Sequence, residues 1–176
     1  MNYPQMKHGS CYDSHIEENV GEELKRIFGS AVEIHPKVSE CVFNSGDHEV
    51  DFLLKEYNLY IEVKGYMTLY AINKMKYLER LLNGGGRWYY IFQATEESWM
   101  HSFDEVSISK EQRNEHCRKN VAAQCEELKK LKTGEISAEE LAQRSKVRLE
   151  NYIWHRGGDL SRWREMHQQR FGRELW

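Results

Sequence analysis

Asp51, Glu62 and Lys64 have the types and spacing for divalent-metal chemistry. Glu62 and Lys64 lie two apart in the alternating run Leu59-Tyr60-Ile61-Glu62-Val63-Lys64. In a strand both would emerge on one face, while Leu59, Ile61 and Val63 line the other as core. A carboxylate beside an ammonium on a sheet is either a surface ion pair or a reaction site. Asp51 falls in the preceding extended stretch, and the turn Lys55-Glu56-Tyr57-Asn58 lets antiparallel pairing bring it beside Glu62. Two carboxylates on adjacent strands repel unless a cation sits between them. Hard oxygen ligands select Mg²⁺, or Mn²⁺ in its place. Lys64 could then orient the attacking water or help to deprotonate it, while the ion clamps a phosphodiester for hydrolysis. An E-x-K triplet alone is common on solvent-facing strands; the wider pattern D-(x)10-E-x-K-G, set on a hairpin between two helices, is more specific.

The elements that must position these groups can be read from periodicity. Ile16, Val20, Leu24, Ile27 and Phe28 repeat at helical spacing after Ser14, with Ser14-His15-Ile16-Glu17 as a capping box and Gly29 as the stop. Residues 31–43 read as extended and interrupted by Pro36, and Asn44-Ser45-Gly46-Asp47 as a turn. Residues 49–54 and 59–64 form the hairpin strands. A helix over 68–82 follows, with Ala71, Ile72, Met75, Leu78, Leu81 and Leu82 as its buried stripe, ended by Asn83-Gly84-Gly85-Gly86. The aromatic run Arg87-Trp88-Tyr89-Tyr90-Ile91-Phe92 reads as a central strand. Beyond it the pattern turns helical. One helix is expected over 110–131, with Cys117, Val121, Cys125 and Leu128 on one face. A second starts at the capping box Ser137-Ala138-Glu139-Glu140, stapled by Ile136 and Leu141, and runs to about 154; Gly157-Gly158 breaks it before a short helix over 160–171. The fold class is therefore α/β: a mixed sheet flanked by helices over 1–100, with a helical extension over 101–176 packed on that core or on a partner.

Helical geometry also selects a third carboxylate. Glu17 lies one turn before Val20 and two before Leu24 and so shares their inward face, whereas Glu18 and Glu22 project roughly opposite. An inward carboxylate needs a reason, either a metal or the capping box itself. Lys74, Lys76 and Arg80, on the helix after the motif, are candidate phosphate contacts or simply a solvated face. The triple glycine follows a helix rather than preceding one and reads as a turn, not a phosphate cradle.

Asp51, Glu62 and Lys64 resemble the signature of the PD-(D/E)XK nuclease superfamily, and the order helix, three strands, helix, strand is similar to its core. Within it, Val50-Asp51-Phe52-Leu53-Leu54 and Glu62-Val63-Lys64-Gly65 look most like the phage endonuclease I family of Holliday-junction resolvases, over roughly residues 14–92. Val50 stands where the motif name has proline. The resemblance implies a restriction-endonuclease-like core (αβββαβ) and Mg²⁺- or Mn²⁺-dependent hydrolysis of DNA. It implies metal ligation by Asp51, Glu62, the Val63 main-chain carbonyl and Glu17, with Lys64 catalytic. Junction DNA would be the substrate, and cutting two symmetric strands would favour a homodimer. Two rival readings remain: a restriction-, repair- or transposon-type nuclease, and a non-catalytic nucleic-acid-binding or protein-interaction module on the same fold.

Bulk properties bound these readings. Forty per cent apolar and 30% charged residues in 176 suit one globular domain with an appended helical element. No apolar run approaches the roughly 18 residues of a membrane span, so no membrane partner is expected. The polar start Met1-Asn2-Tyr3-Pro4-Gln5-Met6-Lys7-His8 predicts no secretory leader. Cys11, Cys41, Cys117 and Cys125 are scattered without C-x-x-C spacing and read as reduced thiols, placing the protein in the cytoplasm, the host's if phage-encoded. The eight histidines show no metal-binding spacing. Net charge is −3, yet residues 142–176 hold eight Lys and Arg against four acids, interleaved with Tyr152, Trp154, Trp163, Phe171 and Trp176. That mixture suits stacking and phosphate contact, or equally packing against the main domain.

Overall fold

The computed structural model describes residues 15–41, 48–64, 69–93 and 110–155. The expected turn at 44–47, the glycine break at 157–158 and the helix over 160–171 lie outside the described residues, as do Ser14 of the first capping box and most of the basic tail.

Chain order is α1 (His15–Phe28), β1 (Val32–Ile34), β2 (Lys37–Val38), β3 (His48–Glu49), β4 (Phe52–Leu54), β5 (Leu59–Lys64), α2 (Leu69–Leu82), β6 (Trp88–Gln93), α3 (Lys110–Thr133) and α4 (Ala138–His155). Helix α1 stops where Gly29 takes φ +63°, a left-handed conformation open to glycine without steric penalty. The turn between β4 and β5 closes at Asn58, whose φ of 50° an asparagine tolerates.

A four-stranded mixed sheet has the order β1-β4-β5-β6. β4 pairs antiparallel with β1 on one side and β5 on the other, while β6 runs parallel to β5 after the α2 crossover. β2 and β3 form a separate two-stranded ribbon. Each long extended run expected from sequence is thus split in two. The break in the first comes at His35, held at φ 50° before Pro36, and the break in the second at Val50-Asp51. Both breaks occur at the same level, tied by His35 N–H donating to the Asp51 carbonyl (3.0 Å) and Val50 N–H donating to the Pro36 carbonyl (3.1 Å).

Two apolar layers enclose the sheet. On one face Phe52, Leu54, Leu59, Ile61, Tyr90 and Phe92 pack against Val20, Leu24 and Ile27 of α1 and Cys125, Leu128 and Leu131 of α3. On the other, Tyr89 and Ile91 pack against Ile72, Met75, Leu78 and Leu82 of α2 and Leu149 of α4. Helices α3 and α4 therefore complete the core of this sheet. The Lys132 ammonium also donates to the Ile27 carbonyl, satisfying a helix C-terminus. Ser137 caps α4, its hydroxyl accepting from Glu140 N–H at 3.1 Å, with Ile136 and Leu141 both buried beside it.

One sequence expectation is corrected. Among the described residues β6 is an edge strand, not a central one. Its aromatic run is explained by cover: α4 packs along it, and the Ser145 hydroxyl accepts the Ile91 N–H at 2.7 Å. A sheet edge shielded by a helix can be as apolar as a central strand.

Candidate metal centre

Register builds the site. β4 pairs with β5 as Phe52↔Ile61 and Leu53↔Tyr60, so the next pair along places Asp51 across from Glu62. β1 pairs with β4 as Ile34↔Phe52, so the next pair on that side places His35 across from Asp51. Three titratable residues thus form a row across three strands where the ladder loosens, with Asp51 in the middle.

Glu62 is fully buried, although its face was expected to be either solvated or reactive. Its Oε1 holds two ammonium groups, Lys64 Nζ at 2.5 Å and Lys74 Nζ at 3.2 Å. Burial opposes ionisation of this carboxyl, but the two lysines outweigh it and hold the group below the usual carboxylate range. Glu62 Oε2 is also buried and has no hydrogen-bond partner among the described residues. The Tyr89 hydroxyl is a second buried group without one; burial first, then the charges of Glu62 and Asp51, push it well above its ordinary value. Unpaired buried polar atoms are rare and call for water, an ion or a ligand.

Asp51 has the opposite character. Its Oδ2 accepts the Val63 N–H at 2.5 Å. Even so, burial and the neighbouring Glu62 charge push its pKa from 3.8 up to about 8, against the pull of Lys64 and the Val63 amide. A cation placed between them would let both carboxylates ionise together. Lys64 is shifted upward: burial disfavours its charge, but Glu62 and Asp51 outweigh burial. That direction favours the ammonium form and suits the role of orienting the water.

From the other side, Glu17 is buried on α1, as helical geometry required, and Glu22 is exposed. Glu17 Oε1 lies 2.8 Å from His35 Nε2. Ligand-type atoms of Glu17, His35 and Asp51 all lie within 4.8 Å of one another. This compact group shares Asp51 and Glu17 with the sequence expectation, adds His35, and leaves Glu62 one position along the row, on its two lysines.

His35 is the residue that sequence reasoning missed. It sits in no His-rich motif, and only the β1–β4 register brings it to Asp51. Lys74 was a candidate phosphate contact or part of a solvated helix face. It is instead committed inward, to Glu62 and, at 3.4 Å, to the Glu49 carbonyl, because α2 packs directly over the buried carboxylate. Lys76 is half-buried and Arg80 exposed on the same helix.

Among the described residues no helix is long and apolar enough to cross a membrane. Compared with protein-family models, curated proteins and solved structures, the chain matches none.

Proposed function

We propose that this protein is a metal-dependent DNA endonuclease. The observation that carries the reading is the row of groups centred on Asp51: a carboxyl gathered with Glu17 and His35 and pushed toward its neutral form by burial and the Glu62 charge, facing a buried carboxylate that is already clasped by Lys64. A merely structural ion pair would have no use for the additional acid.

The donor set fits a divalent ion. Asp51 would be the common ligand, with Glu17 on one side and the unpartnered Oε2 of Glu62 and the Val63 carbonyl on the other, all offering hard oxygens. When bound, the ion supplies charge neutralisation for the scissile phosphate and a more acidic water. Lys64, as an ammonium, would hold the attacking water or donate to the phosphate oxygens as charge develops there. Lys74 would keep Glu62 anionic and fixed through Oε1, leaving Oε2 for the ion. The connection order of α1, three antiparallel strands, the α2 crossover and a parallel strand supports a restriction-endonuclease-like core. Symmetric cleavage of a branched substrate would use a homodimer, one such site per copy.

Incubating the protein with supercoiled, linear and four-way-junction DNA, in Mg²⁺, Mn²⁺ or EDTA, tests this. Cutting that requires the ion and is lost in Lys64→Ala is the expected result. Junction selectivity would mark a resolvase, and equal cutting of all three a general or restriction-type nuclease. Binding without cutting in either ion would leave a non-catalytic module and refute the proposal.

A further inference from the structure

On the divalent-ion reading above, we infer that His35 is a direct metal ligand, giving the site a nitrogen donor that makes it prefer a first-row transition ion such as Mn²⁺ over Mg²⁺. Ligand atoms ~2.1 Å from an octahedral ion lie ~3.0 Å apart when cis and ~4.2 Å apart when trans. His35 Nε2 and Glu17 Oε1 share a 2.8 Å hydrogen bond, which an ion would replace with both atoms already near the cis separation. The 4.8 Å span of the Glu17, His35 and Asp51 donors is within small side-chain adjustments of one coordination shell.

Rigid elements hold these donors. Glu17 projects from the buried face of α1, and Asp51 is pinned through its own side chain to the Val63 amide. The His35 backbone is pinned by its amide to the Asp51 carbonyl, where the chain turns away from the sheet. An independent sign of a ligand lies across the ladder from Asp51, where the fully buried Glu62 has no partner for Oε2 among the described residues.

Ligand identity then sets the ion. Mg²⁺ favours oxygen and keeps much of its water, whereas imidazole raises affinity along the series from Mn²⁺ toward Cu²⁺. Adding an imidazole to the oxygen donors named above departs from the all-oxygen set that suits Mg²⁺.

Isothermal titration of the full chain with Mn²⁺ and with Mg²⁺, without DNA, tests this in wild type, His35→Ala and His35→Asn. Wild type should bind Mn²⁺ more tightly than Mg²⁺. Both variants should lose at least about tenfold in Mn²⁺ affinity, the loss that even outer partners of a ligand produce, while Mg²⁺ binding changes little. Electron spin-echo modulation of Mn²⁺-loaded wild type should show an imidazole nitrogen, and Asp51→Asn should abolish it; this reading survives if a His35 variant fails to fold. Equal Mn²⁺ affinity in folded variants, no nitrogen coupling, or no binding of either ion overturns the inference. Cleavage separates it from the nuclease reading. Unchanged Mg²⁺-dependent cutting by His35→Ala, with no loss of Mn²⁺ affinity, sinks the ligand and spares the nuclease. His35-dependent Mn²⁺ binding without cutting in any ion does the reverse.

Discussion

Replacing Asp51 by asparagine should make the metal-free protein more stable at alkaline pH, although Asp51 is the central ligand of the proposed site. Asp51 is raised from 3.8 to about 8 by burial and by the Glu62 charge. A carboxyl with a raised folded-state pKa binds its proton more tightly in the folded protein than in the unfolded one. Folding is therefore favoured by this group at low pH, and that advantage is lost as pH climbs from near 4 to near 8. At ~1.4 kcal/mol per pKa unit the full gap corresponds to an upper bound of roughly 6 kcal/mol. Relaxation and water entry reduce it, so about 2–3 kcal/mol is expected at pH 9. Asparagine keeps an oxygen for the Val63 amide and removes the repulsion with Glu62. The assay is urea unfolding in EDTA at pH 5 and pH 9, for wild type and Asp51→Asn. The two proteins should be similar at pH 5 and should diverge at pH 9, with the variant the more stable. Saturating Mn²⁺ should raise wild type at pH 9 and leave the variant unchanged, as binding to the folded state alone requires. Parallel stabilities at both pH values would refute the electrostatic picture of the site.

Other perturbations follow from the same contacts. Lys74→Met removes one of the two cations on the buried Glu62 and should lower unfolding stability by about 2 kcal/mol, since a buried charge loses a partner; Lys76→Met, on the same helix, should stay within ~0.5 kcal/mol. Ser137→Ala deletes the α4 cap and should cost about 1 kcal/mol in the same measurement. Lys64→Ala should retain Mn²⁺ binding by titration while losing DNA cleavage by about two orders of magnitude or more, as removal of one preorganised charge donor does.

Much of the architecture was legible because it rests on local signals. The alternation in residues 59–64 placed Leu59, Ile61 and Val63 in the core and Glu62 and Lys64 opposite, and the phase of α1 chose Glu17 over Glu22. What stayed hidden depended on long-range packing. Nothing near Glu62 in the chain foretells that α2 will close over it and bring Lys74 to its oxygen. His35 meets Asp51 only through a strand register between segments 16 residues apart, and a histidine outside any spaced motif gives no hint of it. The edge position of β6 was obscured for a related reason. Its hydrophobicity reports burial, which α4 provides from more than 40 residues away, and burial does not distinguish a paired edge from a covered one.

The most direct measurement is a diffraction experiment on crystals soaked in Mn²⁺, with anomalous differences collected near the manganese edge. The account predicts a strong peak within coordination distance of an Asp51 carboxylate oxygen, in the row between His35 and Glu62. A Mn²⁺-saturated crystal with no anomalous peak at Asp51, or with its ion elsewhere on the chain, would contradict it.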